Sequence, residues 1–421
     1  MSLGFCRRGN GKMFEYLKDF KYRYPDRKLF SLIDKVYNLD NLEASWEHVK
    51  ANKGCAGIDE VSICEFLKQK QLYLKELSRA VKQGTYVATP VLRKYIPKAD
   101  GRMRPLGIPV VKDRVLQQAA RNVIEGIFEM KFLDCSYGFR PEKSAHQAIA
   151  TIEQSLKEGN YYVLDADIKS FFDSVNHERL IDLIAEEVGD GRFLNLIRQW
   201  LCAGVMEDGK VTATKVGTPQ GGVISPLLAN IYLHELDRVI SKIPGLTLVR
   251  YADDFVILCN CKWRAKYALE QVKQVLSTLH LELHPNKTRI VNASIETFEF
   301  LGFQFGVKRG HLRKDPRARS VRKFKESVIQ LTRRNQPIDP KEMVGRLNQT
   351  IRGWGHYFKI GTVTALYTGL DVWIRMRTRS FIEKRKSRFS HERIPNHALQ
   401  AEYKLASLTT LLPRPLPRGQ H

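Results

Sequence analysis

The chain has 421 residues, 43 % of them hydrophobic and 27 % charged, which is the composition of a folded protein with room for two or three domains. Its formal charge is +24, of which residues 306–421 carry +18 and all earlier residues only +6. A surplus gathered in one region fits a phosphate-binding surface better than a general aid to solubility, although a solvated basic face or an anionic membrane would also accommodate it. No apolar run reaches the ~20 residues of a membrane-spanning helix. The first ten residues lack the apolar core of a secretory signal, so Arg7-Arg8 is not read as an export address, and a cytoplasmic protein without a membrane partner is expected. The seven cysteines form no Cys-x-x-Cys pair and are expected to be free thiols.

In chain order, Leu29, Leu32, Ile33, Val36 and Leu39 have helical spacing, and Leu67, Leu72, Leu74, Leu77 and Val81 suggest a second helix. Strands are expected around Leu92 to Ile96 and Leu106 to Ile108, then a helix from Asp113 to Phe128. The run Tyr161-Tyr162-Val163-Leu164-Asp165-Ala166-Asp167 reads as a strand feeding a carboxylate-bearing turn. Gly217-Thr218-Pro219-Gln220-Gly221-Gly222 is a glycine-rich loop that lets backbone approach a nucleotide, and it leads into an apolar helix reaching Leu236. Tyr251-Ala252-Asp253-Asp254 sits between apolar runs at 246–249 and 255–258, at the tip of an expected hairpin. After Gly306 the chain turns to basic helices with apolar stripes at Val321, Phe324, Val328 and Leu331, at Met343, Leu347, Ile351 and Trp354, and at Leu366, Leu370 and Trp373. The tail from Leu411, with Pro413, Pro415 and Pro417, is expected to be extended.

Two adjacent Asp residues in a turn are more often solvated than metal-bound, because Asp favours turns for local reasons. Order and surroundings change that weighting. A strand ending in Asp167 with Phe171-Phe172 after it, a Pro-Gln-Gly loop and a Tyr-x-Asp-Asp hairpin, in series, resemble the palm of reverse transcriptases. Asn52 to Asp59, Ile96 to Pro109, Arg114, Tyr137 to Pro141, Lys287-Thr288 and Phe300 to Phe303 are similar to blocks of the bacterial enzymes encoded by group II introns. Thr350 to Phe358 is similar to the core of their maturase domain. The likeness covers about residues 45 to 375.

The resemblance implies an α+β right-hand polymerase, with fingers and palm built from antiparallel sheet and helices, followed by an all-helical basic thumb and maturase domain. The expected divisions are an N-terminal extension and start of the fingers over 1–90, fingers and palm over 91–305, and the basic domain and tail over 306–421. It implies an RNA-directed DNA polymerase in which Asp167 and Asp253 hold two Mg²⁺ ions, with Mn²⁺ as a substitute, the carbonyl of Ile168 completes the ligand set and Asp254 acts less directly. Such ions take hard oxygen ligands and stand roughly 4 Å apart. Lys98 and Arg104 would clamp the triphosphate. Phe172 would lie beneath the sugar and exclude a 2′-hydroxyl, and Gln220 would pack near the templating pair. Arg352, His356, Arg375, Arg379, Lys384, Arg385 and Lys386 are expected to face RNA, whereas the aromatics of 352–358 divide between packed core and stacking surface.

The implied partners are group II intron RNA, an RNA template with a DNA primer, deoxynucleoside triphosphates and target DNA. After Lys386 no cysteine remains, so the cysteine-bearing endonuclease of many relatives is expected to be missing. Two other readings fit the same motifs: a domesticated or defence-associated reverse transcriptase, and an RNA-binding splicing maturase without polymerase activity.

Overall fold

A computed structural model of the chain describes residues 11–97, 103–207, 209–212, 216–217, 221–384 and 390–413. These form two compact units, one made of residues up to Ala148 with Leu164–Ile290, the other of Ile149–Val163 with residues from Val291 onward. The second unit therefore joins the basic residues after 306 to Ile149–Val163 and to residues 291–305, which hold no Lys or Arg. Among the described residues no helix is long and apolar enough to cross a membrane, and the six described cysteines form no disulfide.

Eleven strands are present in the described residues: β1 (Val91–Pro97), β2 (Met103–Ile108), β3 (Tyr162–Asp167), β4 (Val205–Glu207), β5 (Lys210–Thr212), β6 (Thr247–Tyr251), β7 (Asp254–Cys259), β8 (Arg289–Asn292), β9 (Phe298–Phe300), β10 (Phe303–Lys308) and β11 (His311–Pro316). They form three sheets with orders β2-β1-β4-β5, β6-β7-β3-β8 and β11-β10-β9. β1 and β2 are antiparallel, with Ile96 opposite Arg104. β7 is buried from Phe255 to Cys259, which is why it reads as an unbroken apolar run rather than an alternation.

The helices of the first unit fall close to their expected places. Val111–Glu129 and Ser225–Ile240 are buried around most of their circumference, and the latter opens with Pro226 in its first turn, where a missing N–H costs nothing. The expected helix through Leu29–Leu39 is a correction. Leu29 instead bridges to Val188, a single turn spans Ile33–Val36, and Asn38 caps a new helix, Leu39–Ala51, by accepting from the backbone N–H groups of Asp40 and Asn41. A good capping residue inside an apolar periodicity restarts the helix there.

The second unit corrects the expectation of an all-helical region. Its chain enters through β9, β10 and β11, and the β10–β11 turn is Arg309-Gly310, both at positive φ. Phe303, Phe305 and the partly buried Val307 alternate inward, a period of two that the surrounding basic residues obscured. Helices Ala318–Leu331, Pro340–Phe358 and Thr364–Ile382 follow. In the last of these the buried stripe is Tyr367, Leu370, Ile374 and Phe381, whereas Leu366 and Trp373 flank it, half-exposed.

Candidate active site and nucleic-acid surface

The carboxylates come together because β7 and β3 are neighbours in one sheet. Tyr251 pairs with Asp254 across the β6–β7 hairpin, so Ala252 and Asp253 form a two-residue loop, and Ala252 holds a φ of 59°. That position normally favours glycine, and strain of this kind is retained where it fixes a functional geometry. Close approach from below helps to fix it: a Cβ on Gly138 would fall 2.4 Å from the Ala252 nitrogen.

Burial raises the Asp253 carboxyl above its usual range, and the Asp167 charge adds to the effect, opposed by Arg104 and Lys287. Solvent reaches Asp254, yet crowding by protein atoms pushes its carboxyl up to about 6, with Asp253, Asp167 and Asp165 contributing. The Lys287 ammonium lies 2.5 Å from Asp167 Oδ2, and Arg289 Nε donates to Asp165 Oδ2 at 3.1 Å. Two hairpin carboxylates with raised proton affinity thus stand beside Asp167, and one ammonium partly compensates the crowded charge.

This donor set suits a hard cation. Ile168 bridges antiparallel to Leu283, with the Lys169 N–H donating to the Glu282 carbonyl and the His284 N–H to the Asp167 carbonyl. Ile168 is then the non-bonded member of the pair, and its own carbonyl points away from that partner strand. Among the described residues no group of three or more His, Cys, Asp and Glu side chains is placed to enclose an ion. A cation here would draw its remaining ligands from water and phosphate oxygens, as Mg²⁺ commonly does.

The floor of the hairpin is a feature the sequence reading missed. Arg250 is fully buried, donating through Nε to Asp237 Oδ1 at 2.7 Å and through a second nitrogen to Asp237 Oδ2. Its third nitrogen donates to Asn230 Oδ1 and to the Ala252 carbonyl, both at 3.0 Å. Burial alone would lower the guanidinium's proton affinity, but Asp237 more than reverses this. Asn230 in turn donates to the Gly138 carbonyl at 2.8 Å. The signal available in the sequence was an arginine inside an otherwise apolar strand and an aspartate inside an otherwise apolar helix.

Around the carboxylates, Ser170 takes a φ of 45° and starts the short helix Phe171–Ser174. Phe172 is half-buried, edge-on to Phe171 with ring centroids 5.1 Å apart. The glycine-rich loop begins beside it: a Cβ on Gly217 would lie 2.9 Å from the Phe172 carbonyl oxygen. On the loop's far side, a Cβ on Gly221 would lie 2.3 Å from the Gly107 carbonyl of β2. Arg104 is exposed on β2. Lys98 and Gln220 lie outside the described residues. Arg114 is buried and tied to the carbonyls of Pro109 and Cys55.

The residues expected to face RNA lie in the second unit. Arg352 and His356 are exposed, and Arg375 is half-exposed. Lys384 is exposed, above the Phe381 ring at 3.8 Å. Arg379 is a correction: it is buried, with its guanidinium donating to the Ile394 carbonyl and Asn396 Oδ1, both at 2.7 Å. Arg377 is likewise spent on Thr332. Both act as ties between helices. Arg385 and Lys386 lie outside the described residues. The aromatics of 352–358 belong to the packed side: Trp354 stacks on Phe324 with centroids 4.5 Å apart and lies near Phe358, while Tyr357 donates to the Leu301 carbonyl. Gly355 permits the close approach of Leu408 and Leu411, whereas Gly353 faces open space.

A strand that delivers Asp167, a glycine-rich loop and an Asp-Asp hairpin over one sheet constitute a palm of the reverse transcriptase type, and family comparisons agree. Residues 96–305 match the reverse transcriptase (RNA-dependent DNA polymerase) family, and residues 321–397 match the group II intron maturase-specific domain. Group II intron-encoded protein LtrA of Lactococcus lactis subsp. cremoris is 33% identical over 336 residues, covering 63% of this chain and 55% of LtrA. Protein YkfC of Escherichia coli (strain K12) is 33% identical over 291 residues, covering 60% of this chain and 76% of that one. An uncharacterized 91 kDa protein in the cob intron of Schizosaccharomyces pombe is 28% identical over 428 residues, covering 81% and 52%. The chain belongs to the family of group II intron-encoded reverse transcriptases that carry a maturase domain. It spans little more than half the length of LtrA.

Proposed function

We propose that the protein is an RNA-directed DNA polymerase that copies intron RNA and, through its basic unit, binds that RNA and assists its splicing. The observation that carries the first part is the meeting of Asp167 with the Asp253–Asp254 hairpin on neighbouring strands, where Asp167 raises the proton affinity of both hairpin carboxylates and Asp253 that of Asp254. Carboxylates crowded in this way are held in readiness for a cation. Two divalent ions, Mg²⁺ in this reading with Mn²⁺ as a substitute, would be held by Asp167, Asp253 and the Ile168 carbonyl, with Asp254 less direct. When bound they supply charge neutralisation at the α-phosphate of the incoming nucleotide.

The chain's own groups do the remaining work. Lys287 balances Asp167, and the Arg250 floor fixes the hairpin so that the carboxylates do not reorganise during reaction. Phe172 excludes the 2′-hydroxyl, Gln220 meets the templating pair, and Arg104 with Lys98 screens the triphosphate. Arg352, His356, Arg375 and Lys384 offer charge and hydrogen bonds to RNA, as do Arg385 and Lys386. The intron would perform the splicing chemistry itself, because a protein that binds the active RNA fold better than its alternatives needs no catalytic side chain.

Mg²⁺-dependent extension of a DNA primer on an RNA template, wild type against Asp253→Ala, tests this. Synthesis should vanish in the variant while RNA affinity stays within about twofold. Equal synthesis by both proteins would refute the assignment, and an inactive wild type that still binds intron RNA would leave only the maturase reading.

A further inference from the structure

The polymerase reading uses Phe172 and the glycine-rich loop but leaves open what keeps the two in register. The contacts of Gly217 supply an answer. This residue holds a φ of 96°, and both of its backbone polar groups are taken by the segment that follows Phe172. Its N–H donates to the Val175 carbonyl at 2.9 Å, and its carbonyl oxygen lies 2.6 Å from His177 Nε2. His177 is buried as the first residue of the helix His177–Ala185. A carbonyl can only accept, so Nε2 carries a proton and donates. The other ring nitrogen, Nδ1, faces Cys202 Sγ at 3.7 Å, and a thiol there donates weakly to the unprotonated nitrogen. That contact selects the tautomer the Gly217 bond requires.

The segment bearing His177 is itself anchored. The Asn176 side chain accepts from the Arg179 N–H at 2.9 Å, the Asn176 N–H donates to the Tyr232 hydroxyl at 3.3 Å, and that hydroxyl donates to the Leu279 carbonyl at 2.5 Å. A histidine fixed in this way transmits the position of the palm core to the start of the loop. At the same place there is no slack between loop and Phe172 turn, since a Cβ on Gly217 would lie 2.9 Å from the Phe172 oxygen and 3.0 Å from the Asp173 Cα.

We infer that His177 is a positioning residue for nucleotide selection, holding the glycine-rich loop against the Phe172 turn through its Nε2–H bond to Gly217. The inference rests on the polymerase reading. It touches neither the reacting atoms nor the carboxylates, so its loss acts on how the deoxynucleotide is seated rather than on phosphoryl transfer itself.

The test measures KM and kcat for a deoxynucleoside triphosphate, and the preference for deoxy- over ribonucleotide, with RNA template and DNA primer, for wild type, His177→Phe and His177→Gln. Phenylalanine keeps a ring but cannot donate, whereas the Gln amide nitrogen sits where Nε2 does. His177→Phe should raise KM about tenfold, change kcat less than about threefold, and lower the deoxy preference, with His177→Gln restoring most of both. A folded His177→Phe with wild-type KM and preference would overturn the inference. So would a Gln variant as impaired as Phe, since a donor restored at the Nε2 position would then bring nothing back. If His177→Phe does not fold, Gly217→Ala, which forces the loop from the Phe172 carbonyl with His177 intact, should give the same rise in KM and fall in preference; unchanged values would overturn the inference. A wild type that fails to extend primers would instead refute the polymerase reading, and this inference with it.

Discussion

Replacing Asp237 by Asn keeps the shape beneath the catalytic hairpin and removes one charge. Arg250 would then be a fully buried guanidinium without its counter-ion, since both of its ion-pair contacts are to Asp237. Breaking one side of such a pair typically costs ~3–5 kcal/mol, a fifth or more of a stability of about 5–15 kcal/mol. The double variant Asp237→Leu/Arg250→Met should recover part of this, because apolar side chains of similar volume often replace a buried pair at little cost. Recovery should be incomplete, as the Ala252 carbonyl and Asn230 Oδ1 lose their donor at about 1–3 kcal/mol for each buried acceptor left without one. Stability and synthesis therefore separate: the double variant folds but extends primers poorly, because the turn that carries Asp253 loses its Arg250 tie. Urea denaturation at pH 7 gives the stability cycle, and primer extension well below the transition temperature gives the activity. An Asp237→Asn cost under about 1 kcal/mol, or a double variant extending at the wild-type rate, would refute the reasoning.

Lys287 lowers the proton affinity of both hairpin carboxylates, so Lys287→Met should move the acid limb of primer extension to higher pH. Carboxylates bind cations when deprotonated, and activity is lost as pH falls through the Asp254 value of about 6 and the raised range of Asp253; a pH–rate profile with an unmoved or lower midpoint would contradict this. Asp254 has a raised folded-state pKa of about 6 against 3.8 unfolded, so its charge opposes folding above pH 6 and the penalty fades as pH falls toward 4. Asp254→Asn should then stabilise the metal-free protein at pH 8 by about 1 kcal/mol, the full conversion of the shift being discounted because solvent reaches the side chain; no gain in the urea midpoint would argue against it. In the basic unit, Arg352→Ala should weaken RNA binding and flatten its salt dependence by about one ion without changing stability. Arg379→Ala should instead lower the melting temperature, and calorimetry beside RNA titration separates the two.

The palm was legible because its motifs combine local signals that do not depend on tertiary context. Alternating turn and apolar residues marked the Asp253 hairpin, and the glycine-rich loop announced itself by composition. What the sequence concealed was any role fixed by long-range pairing. Arg250 and Asp237 are 13 residues apart and look like isolated charges until the sheet and helix pack. Arg379 shares a helix with Arg375, and only the arrival of the chain at Ile394 and Asn396 separates a buried tie from a half-exposed cation. Trp354 stood equally for core and for stacking surface, and the choice depended on Phe324 approaching from another helix. Strands β10 and β11 escaped because β11 carries Arg313 and Lys314 against a single Leu312, and the inward side chains are aromatic on β10 only.

The discontinuity of the basic unit bears on how the protein is made. Ile149–Val163 leaves the ribosome roughly 130 residues before the strands it joins, which at about 5–20 residues per second is a wait of some 6–26 seconds. During that interval Leu156 and Glu153 lack partners that arrive only later, among them Lys314 for Glu153 and the Ala293 N–H for the Tyr161 carbonyl. A C-terminal fragment cut at Val291 or at 306 would carry the opposite defect, exposing the surface this segment covers. The second unit is thus built from a pair of distant chain segments, and transplanting it onto another protein would require moving both.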